Sequence, residues 1–112
     1  MSKLSPRLLA ASLMLAYASM APAQAAIDAD AAKALFKDND CTKCHAVDKT
    51  KKGPSLKKMA ASQKTDGQEK VIKNITTGPK IQFEDGTVEK HKIIDTKDPK
   101  ELKNLADWIL SQ

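Results

Sequence analysis

The sequence is poor in aromatic residues and in cysteine. Aromatic side chains make up 4% of the 112 residues (two Phe, one Tyr and one Trp), and there are two cysteines. The length allows one small domain and excludes a multi-domain enzyme, while two cysteines cannot form the several disulfides of a cysteine-rich secreted module. Small domains bury a low fraction of their surface, so this chain has little with which to build a core. Something other than side chains is therefore expected to fill part of the interior.

The first 25 residues have the features of a secretory signal peptide. Lys3 and Arg7 precede the apolar run 8–20, and Ala23-Gln24-Ala25 offers the small residues that a cleavage site after Ala25 requires. A retained membrane anchor is the rival interpretation, but the run is shorter than the roughly 20 residues of a spanning helix. Removing 25 of the 112 residues leaves a domain of 87 residues, 26–112, and losing these two cations lowers the net charge from +5 to +3. We expect a periplasmic protein with no stable membrane insertion after cleavage.

Three segments of the exported domain have weak or moderate helical patterns. Asp28 is a suitable N-cap for a helix over residues 29–37, and residues 55–61 allow at most a short helix. A further helix is expected to begin at Thr65-Asp66-Gly67 and to end at Gly78-Pro79. Its expected buried positions are Val71, Ile72 and Ile75. Residues 81–94 have no helical period, and Asp85-Gly86 predicts a tight turn within a small hairpin.

The last helix has the clearest pattern. Asp98 is expected as its N-cap, Pro99 as its first residue, and Glu101 as the partner of Asp98 in a capping box. Apolar residues then recur at helical spacing and form one stripe: Leu102, Leu105, Ala106, Ile109 and Leu110. The fold class predicted from these segments is all-α, with three to four short helices.

The sequence Cys41-Thr42-Lys43-Cys44-His45 carries the chemistry of the chain. Two cysteines three residues apart, followed at once by histidine, are the pattern of covalent haem attachment: the thiols add to the two vinyl groups and the histidine binds the iron. A thioredoxin-like dithiol would need a βαβ context. A zinc site could use these three residues with His91, although structural zinc ligands usually come in two close pairs. A plain disulfide would leave His45 without a role. Together with the export signal, the pattern favours haem.

The chain resembles the class I cytochrome c family over nearly all of the exported domain. The segment before the haem motif is similar to the first helix of that family, Gly53-Pro54-Ser55-Leu56 to its G-P-x-L segment, and residues 105–110 to its last helix. The resemblance implies one covalent haem c on Cys41 and Cys44, with His45 as the proximal axial ligand and helices wrapped around it. It also implies that the carbonyl of Pro54 accepts a hydrogen bond from His45, and that Phe36 packs against Trp108. The haem is then the missing part of the core, and without it the chain should not hold its fold.

The sixth ligand of the iron is where the sequence departs from this family. The family usually supplies a methionine from the loop before the last helix, but Met59 is the last methionine in the chain. His91 lies in that region, 46 residues after His45, and we predict it as the distal ligand. The alternatives are Met59, which is expected to pack beneath the haem, a lysine such as Lys90 or Lys92, or an open site. Histidine in place of methionine predicts a lower reduction potential.

The predicted function is that of a monomeric electron carrier with no enzymatic activity. Lysines cluster around the haem motif: Lys43, Lys49, Lys51, Lys52, Lys57 and Lys58. They are either a solvated face or a basic ring that steers acidic redox proteins to the haem edge. Nucleic acid is excluded as a partner because no stacking aromatics are interleaved with these lysines. The alternative function is a haem protein that binds a gas or small ligand once His91 leaves the iron, because the loop around it has few apolar anchors.

Overall fold

The computed structural model describes residues 26–63 and 65–112, so the predicted signal peptide, residues 1–25, lies outside the described residues. In the described part of the chain the elements follow in the order α1 (Ala29–Asp38), a 3-10 helix (Cys41–Lys43), α2 (Leu56–Ser62), α3 (Gly67–Thr77), β1 (Lys80–Gln82), β2 (Val88–Lys90) and α4 (Pro99–Leu110). Four α-helices dominate these residues, which confirms the predicted all-α class with a small hairpin between α3 and α4.

Helices α1 and α4 cross and pack against each other at the centre of the domain. The side chain of Asp28 caps α1 by accepting a hydrogen bond from the backbone N–H of Ala31 at 3.0 Å. The rings of Phe36 and Trp108 meet edge to face, with their centroids 5.6 Å apart and an interplanar angle of 66°. The predicted contact between the first and last helices is therefore confirmed.

The start of α4 differs in one detail from the capping box predicted for it. Asp98 is the N-cap, and its carboxylate accepts from the backbone N–H of Lys100 at 2.9 Å. The carboxylate of Glu101, however, accepts from the hydroxyl of Thr96 and not from the backbone of Asp98. Thr96 Oγ1 itself accepts from the Asp98 N–H at 3.2 Å, so the hydroxyl takes the bond that the glutamate would have made.

Helices α2 and α3 pack on the other side of α4. The hydroxyl of Ser55 caps the seven-residue α2, as the short predicted helix requires, and accepts from the Lys58 N–H at 3.1 Å. In α3 the side chains of Val71 and Ile75 are buried, whereas Ile72 is only half-buried at the edge of the core, contrary to the prediction. The helix begins at Gly67, as expected from the Thr65-Asp66-Gly67 sequence.

The predicted hairpin is present, and it lies on the surface. Strands β1 and β2 pair antiparallel, with Lys80 opposite Lys90 and Gln82 opposite Val88. The Asp85-Gly86 turn closes it, as the Phe83 N–H donates to the Thr87 carbonyl at 2.9 Å. Of the apolar residues in and after the hairpin, Val88 is 57% exposed and Ile93 is 52% exposed. Ile94 alone among the residues 81–94 that the structure describes is a buried apolar anchor, at 4% exposure.

The core is built mainly from one side of each helix. Eleven buried apolar residues form a single cluster, to which α4 contributes the largest share: Ala32, Phe36, Leu56, Val71, Ile75, Ile94, Leu102, Leu105, Ala106, Trp108 and Ile109. The predicted stripe of α4 is confirmed at four of its five positions, while Leu110 lies at the edge of the cluster. Among residues 26–63 and 65–112, no helix has both the length and the apolar character needed to cross a membrane.

Candidate functional site

The two cysteines lie at the start of a turn that follows α1 directly. Asp40 has a left-handed backbone (φ 59°), which reverses the chain after the helix and leads into the 3-10 helix at Cys41. Backbone N–H groups of Cys44 and His45 both donate to the Cys41 carbonyl, at 3.2 and 3.0 Å. Both thiols are free and half-buried, so they are not joined as a disulfide. Two free thiols on one tight turn are available to form covalent bonds to the same group.

The loop that follows His45 holds its imidazole through a hydrogen bond at Nδ1. Its Nδ1 lies 2.7 Å from the carbonyl oxygen of Pro54, and it is therefore the nitrogen that carries the proton in the neutral ring. Gly53 allows this approach, because a Cβ at that position would lie 2.6 Å from Cε1 of His45. With Nδ1 engaged as a donor, Nε2 has its lone pair free to bind a metal.

The environment favours the neutral form of His45. Burial lowers the pKa of His45, and repulsion from His91 lowers it further, while the hydrogen bond to Pro54 acts in the opposite direction. Neutral imidazole is the form that ligates metals, so the loss of the charge prepares the ring for coordination. Burial likewise raises the pKa of the Cys41 thiol, partly offset by a hydrogen bond to its backbone and by the nearby charge of Lys92.

His91 follows strand β2 and faces His45 across the site. Its ring centroid lies 6.3 Å from that of His45, with an angle of 37° between the ring planes. The Nδ1 of His91 lies 2.9 Å from the carbonyl oxygen of Lys92, so this ring also has its Nδ1 on a backbone carbonyl. The backbone N–H of His91 donates to the Pro79 carbonyl at 2.8 Å. The structure thus brings together two histidines that are 46 residues apart in the sequence.

A glycine at the end of α3 makes room for the backbone of His91. Gly78 is the C-cap of that helix and has a left-handed conformation, with φ 59°. A Cβ at this position would lie 2.8 Å from the His91 carbonyl oxygen. Gly78 therefore both ends α3 and allows the backbone of His91 to lie close to that end of the helix.

A cleft of about 540 Å³ opens between the loop of Pro54 and the hairpin. Its lining includes Pro54 and Met59 on one side and Ile81 and Phe83 on the other. Met59 lies in α2, the helix that begins two residues after Pro54, and packs against the core. Apolar side chains thus line both sides of the cleft, together with polar and charged residues such as Lys58 and Asp85.

Lys52 connects the two sides of the cleft. Its Nζ lies 2.7 Å from the Glu89 carboxylate on β2 and 4.8 Å from the ring centroid of Phe83, which follows β1. This lysine belongs to the loop between His45 and Pro54, whereas both of its partners belong to the hairpin that precedes His91. We refer to these two contacts of Lys52 as the lysine latch.

The alternatives to haem for the cysteine motif find little support in this geometry. In the part of the chain that the structure describes, no three side chains of His, Cys, Asp or Glu gather to hold a metal ion, so a zinc site has no donor set there. The motif follows a helix and precedes an irregular loop, which is not the βαβ setting of a thioredoxin-like dithiol. Two free thiols and an adjacent imidazole whose neutral form is favoured instead fit a covalently attached haem.

The contacts of two residues were not expected from the sequence. One is Lys52, which the sequence indicates only as a member of the lysine cluster, without any feature that predicts its contacts with Glu89 and Phe83. The other is Asn39, which is 3% exposed and which the sequence suggests only as part of a turn-forming Asp-Asn-Asp cluster. Both residues contact residues more than 30 positions away in the sequence, and local sequence patterns do not predict such contacts.

Comparison with known proteins gives one consistent family. Residues 29–112 match the family model described as cytochrome c. Cytochrome c-551 of Pseudomonas denitrificans is 33% identical to this chain over 79 residues, which is 69% of this chain and 92% of the relative.

Two solved structures have the same fold. The class 1 cytochrome MtoD of Sideroxydans lithotrophicus ES-1 has a TM-score of 0.71 at 52% identity, and the match covers 77% of this chain and 97% of MtoD. Wild-type cytochrome c552 of Nitrosomonas europaea has a TM-score of 0.54 at 30% identity, over 70% of this chain and 96% of its own. The described elements are therefore arranged as in small class I cytochromes c.

Proposed function

This chain belongs to the cytochrome c family, and from that premise we propose that it is a periplasmic electron carrier in which His45 and His91 are the two axial ligands of one haem iron. Membership of the family means one covalently bound haem c, for which Cys41 and Cys44 supply the attachment motif. Haem c supplies one-electron exchange between Fe(II) and Fe(III). The finer statements, on the two ligands, the compartment and the partners, are argued below from the residues.

The observation that carries the ligand assignment is the separation of the two imidazole rings. A histidine nitrogen binds a transition metal at about 2 Å, and the ring centre lies about 1 Å behind that nitrogen, so two histidines on opposite sides of one metal have centroids about 6 Å apart. The rings of His45 and His91 have centroids 6.3 Å apart. Each has its Nδ1 on a backbone carbonyl, which leaves the same nitrogen, Nε2, available to a metal in both residues.

The competing ligands have less favourable positions. Met59 lies in α2, close in the chain to Pro54, whose carbonyl contacts the Nδ1 of His45. This closeness supports a place for Met59 among the proximal residues. Lys90 pairs with Lys80 in the hairpin and is exposed, and Lys92 is exposed with its carbonyl oriented to the ring of His91. Two histidines as ligands predict a lower reduction potential than the histidine–methionine pair usual in this family.

Spectroscopy of the haem-loaded protein tests this assignment. We expect low-spin optical and electron paramagnetic resonance spectra without the charge-transfer band of a methionine ligand, and slow binding of carbon monoxide. His91→Ala should become high-spin and bind carbon monoxide readily, whereas Met59→Leu, which conserves volume, should keep the wild-type spectra. Unchanged ligation in His91→Ala would exclude His91. Rapid carbon monoxide binding by the wild type would instead favour the ligand-binding alternative.

The compartment and the partners are proposed from charge and from the first 25 residues. The signal-like segment supports export and cleavage after Ala25, with residues 26–112 as the mature, monomeric domain. Exposed lysines lie close in sequence to the haem motif and suit acidic docking surfaces of redox proteins: Lys43, Lys49, Lys51, Lys52, Lys57 and Lys58. A fall in the electron-transfer rate with rising salt would support this docking, while a rate independent of salt would contradict it.

A further inference from the structure

The backbone of His91 and the four residues after it is anchored at three points. We call residues 91–95 the distal segment. The N–H of His91 donates to the Pro79 carbonyl at 2.8 Å, and the N–H of Ile94 donates to the Ile75 carbonyl at 2.9 Å. Both acceptors belong to the backbone at the end of α3 and just after it. The third anchor is different, because the N–H of Asp95 donates to a side chain, Oδ1 of Asn39, at 2.9 Å.

The carboxamide of Asn39 has its orientation set by its partners. Its Nδ2 donates to the Leu35 carbonyl at 3.0 Å, and the Oδ1 accepts from the backbone of Asp95. A carbonyl can only accept and an N–H can only donate, so the amide cannot be turned around without losing both bonds. Asn39 is 3% exposed, which makes it one of the two buried polar residues of the part of the chain that the structure describes.

Asn39 also lies next to the turn that carries the haem motif. It is the C-cap of α1 and lies two residues before Cys41, whose Sγ is 3.9 Å from the Asn39 carbonyl oxygen. One residue therefore contacts both the turn that carries the haem motif and the segment that carries His91. The other two anchors of the distal segment join it only to the region of α3.

We propose that Asn39 is a positioning residue for His91. Its hydrogen bond to Asp95 holds the distal segment against the haem-attachment turn, and so keeps the ring of His91 opposite that of His45. The sixth coordination position then stays closed to added small ligands, and the protein remains an electron carrier. This inference rests on the proposed function, since it requires His91 to be the distal ligand.

The chain offers a matched control for Asn39. Asn104 in α4 makes the same pair of bonds: its Oδ1 accepts from the Asp28 N–H at 2.8 Å, and its Nδ2 donates to the Asp28 carbonyl at 2.9 Å. Those bonds join α4 to the N-cap of α1, and they do not involve the distal segment. Asn39→Ala and Asn104→Ala therefore remove the same two kinds of bond, from a buried residue linked to the segment of His91 and from an exposed contact that is not linked to it.

The test compares these variants as haem-loaded proteins. We expect Asn39→Ala to raise the carbon monoxide association rate of the reduced protein about five- to thirtyfold, as expected when one hydrogen bond to a buried partner is lost. Amide hydrogen exchange at Asp95 and Ile94 should rise with it. Asn104→Ala should change neither, whatever its effect on the melting temperature. Asn39→Asp keeps the acceptor for Asp95 but not the donor to Leu35, and should retain near wild-type exchange at Asp95.

Each outcome decides the proposal. Equal carbon monoxide rates in Asn39→Ala and Asn104→Ala would overturn it and leave Asn39 as a structural residue only. If Asn39→Ala does not fold, Asn39→Asp is measured in its place. The proposal is overturned if amide exchange at Asp95 in this variant increases as much as exchange at unrelated amides. Failure of the proposed function has a separate signature, which is unchanged ligation in His91→Ala.

Discussion

The imidazole rings of His45 and His91 have their centroids 6.3 Å apart, although the two residues are 46 positions apart in the sequence. His45 follows the second cysteine and is held by the Pro54 carbonyl, while His91 follows a surface hairpin and is held by its own neighbour, Lys92. The two histidines thus have unequal support. His45 is held by the loop that follows it. His91 depends on backbone contacts between the segment after β2 and residues at the ends of α1 and α3.

The first prediction concerns the dependence of the fold on haem. The buried apolar cluster of the described residues contains just two aromatic rings, Phe36 and Trp108. We expect the double variant Cys41→Ser and Cys44→Ser, which cannot attach haem covalently, to lose cooperative thermal unfolding and most of its helical circular dichroism. The haem-loaded wild type is the reference. A cooperative transition with full helical signal in the double variant would contradict the view that haem completes the core.

The second prediction compares two glycines, one behind each histidine. In Gly53→Ala the new Cβ would lie 2.6 Å from Cε1 of His45, and in Gly78→Ala 2.8 Å from the His91 carbonyl oxygen, with the left-handed backbone of Gly78 adding strain. Each substitution should cost about 1–3 kcal/mol of unfolding free energy in denaturant titrations.

The two variants are expected to differ in their effect on ligation. Gly78→Ala displaces the distal segment and should speed carbon monoxide binding, because His91 is then held less well. Gly53→Ala should change the proximal ligand, seen in the spectra, without opening the distal side. A faster carbon monoxide reaction in Gly53→Ala than in Gly78→Ala would contradict the assignment of sides.

The third prediction concerns the lysine latch. Lys52→Met removes the ion pair with Glu89 and the charge above the Phe83 ring, and so should free the hairpin from the loop. Because Lys52 and Glu89 are exposed, we expect a modest effect, about two- to fivefold faster amide exchange in the hairpin, with less difference at high salt. Lys57→Met removes an exposed lysine from α2 and is the control. The same change in both variants would mean that only net charge matters.

The fourth prediction is a pH effect at the tip of the hairpin. The carboxylate of Asp85 accepts from Thr87 Oγ1 at 2.6 Å and from the Thr87 N–H at 2.9 Å, and these bonds lower the pKa of Asp85. A lowered pKa means that the stabilisation is complete above the usual carboxyl value of about 4 and is lost as the pH falls through the lowered value. We expect exchange at the Thr87 amide, corrected for its intrinsic pH dependence, to rise below about pH 4 in the wild type. Asp85→Asn should lack that step, and a step of equal size in this variant would assign it to another group.

Much of the fold follows from local patterns in the sequence. Asp28, Ser55 and Asp98 cap helices where a short polar side chain precedes an apolar period, and Gly78-Pro79 ends α3 as expected. The Asp85-Gly86 turn closes a hairpin. These features depend on residues that lie within one helical turn or one hairpin of each other. Over that distance, local hydrogen bonds and the spacing of apolar side chains can be predicted from the sequence. The departures, Glu101 bonding to Thr96 and Ile72 at the edge of the core, come from competing partners and from the angle at which helices pack.

The sequence by itself determined the attachment chemistry, because Cys41, Cys44 and His45 are adjacent and need no fold to be recognised. Together with the family resemblance it also indicated His91 as the distal ligand, because Met59 is the last methionine and His91 lies where the family usually has one. Only the tertiary structure decided that His91 faces His45, that Asn39 reaches the distal segment and that Lys52 reaches the hairpin. Those contacts join residues 37 to 56 positions apart. They form because the helices bury one common core and bring distant loops together, and no local period in the chain encodes which loops will meet.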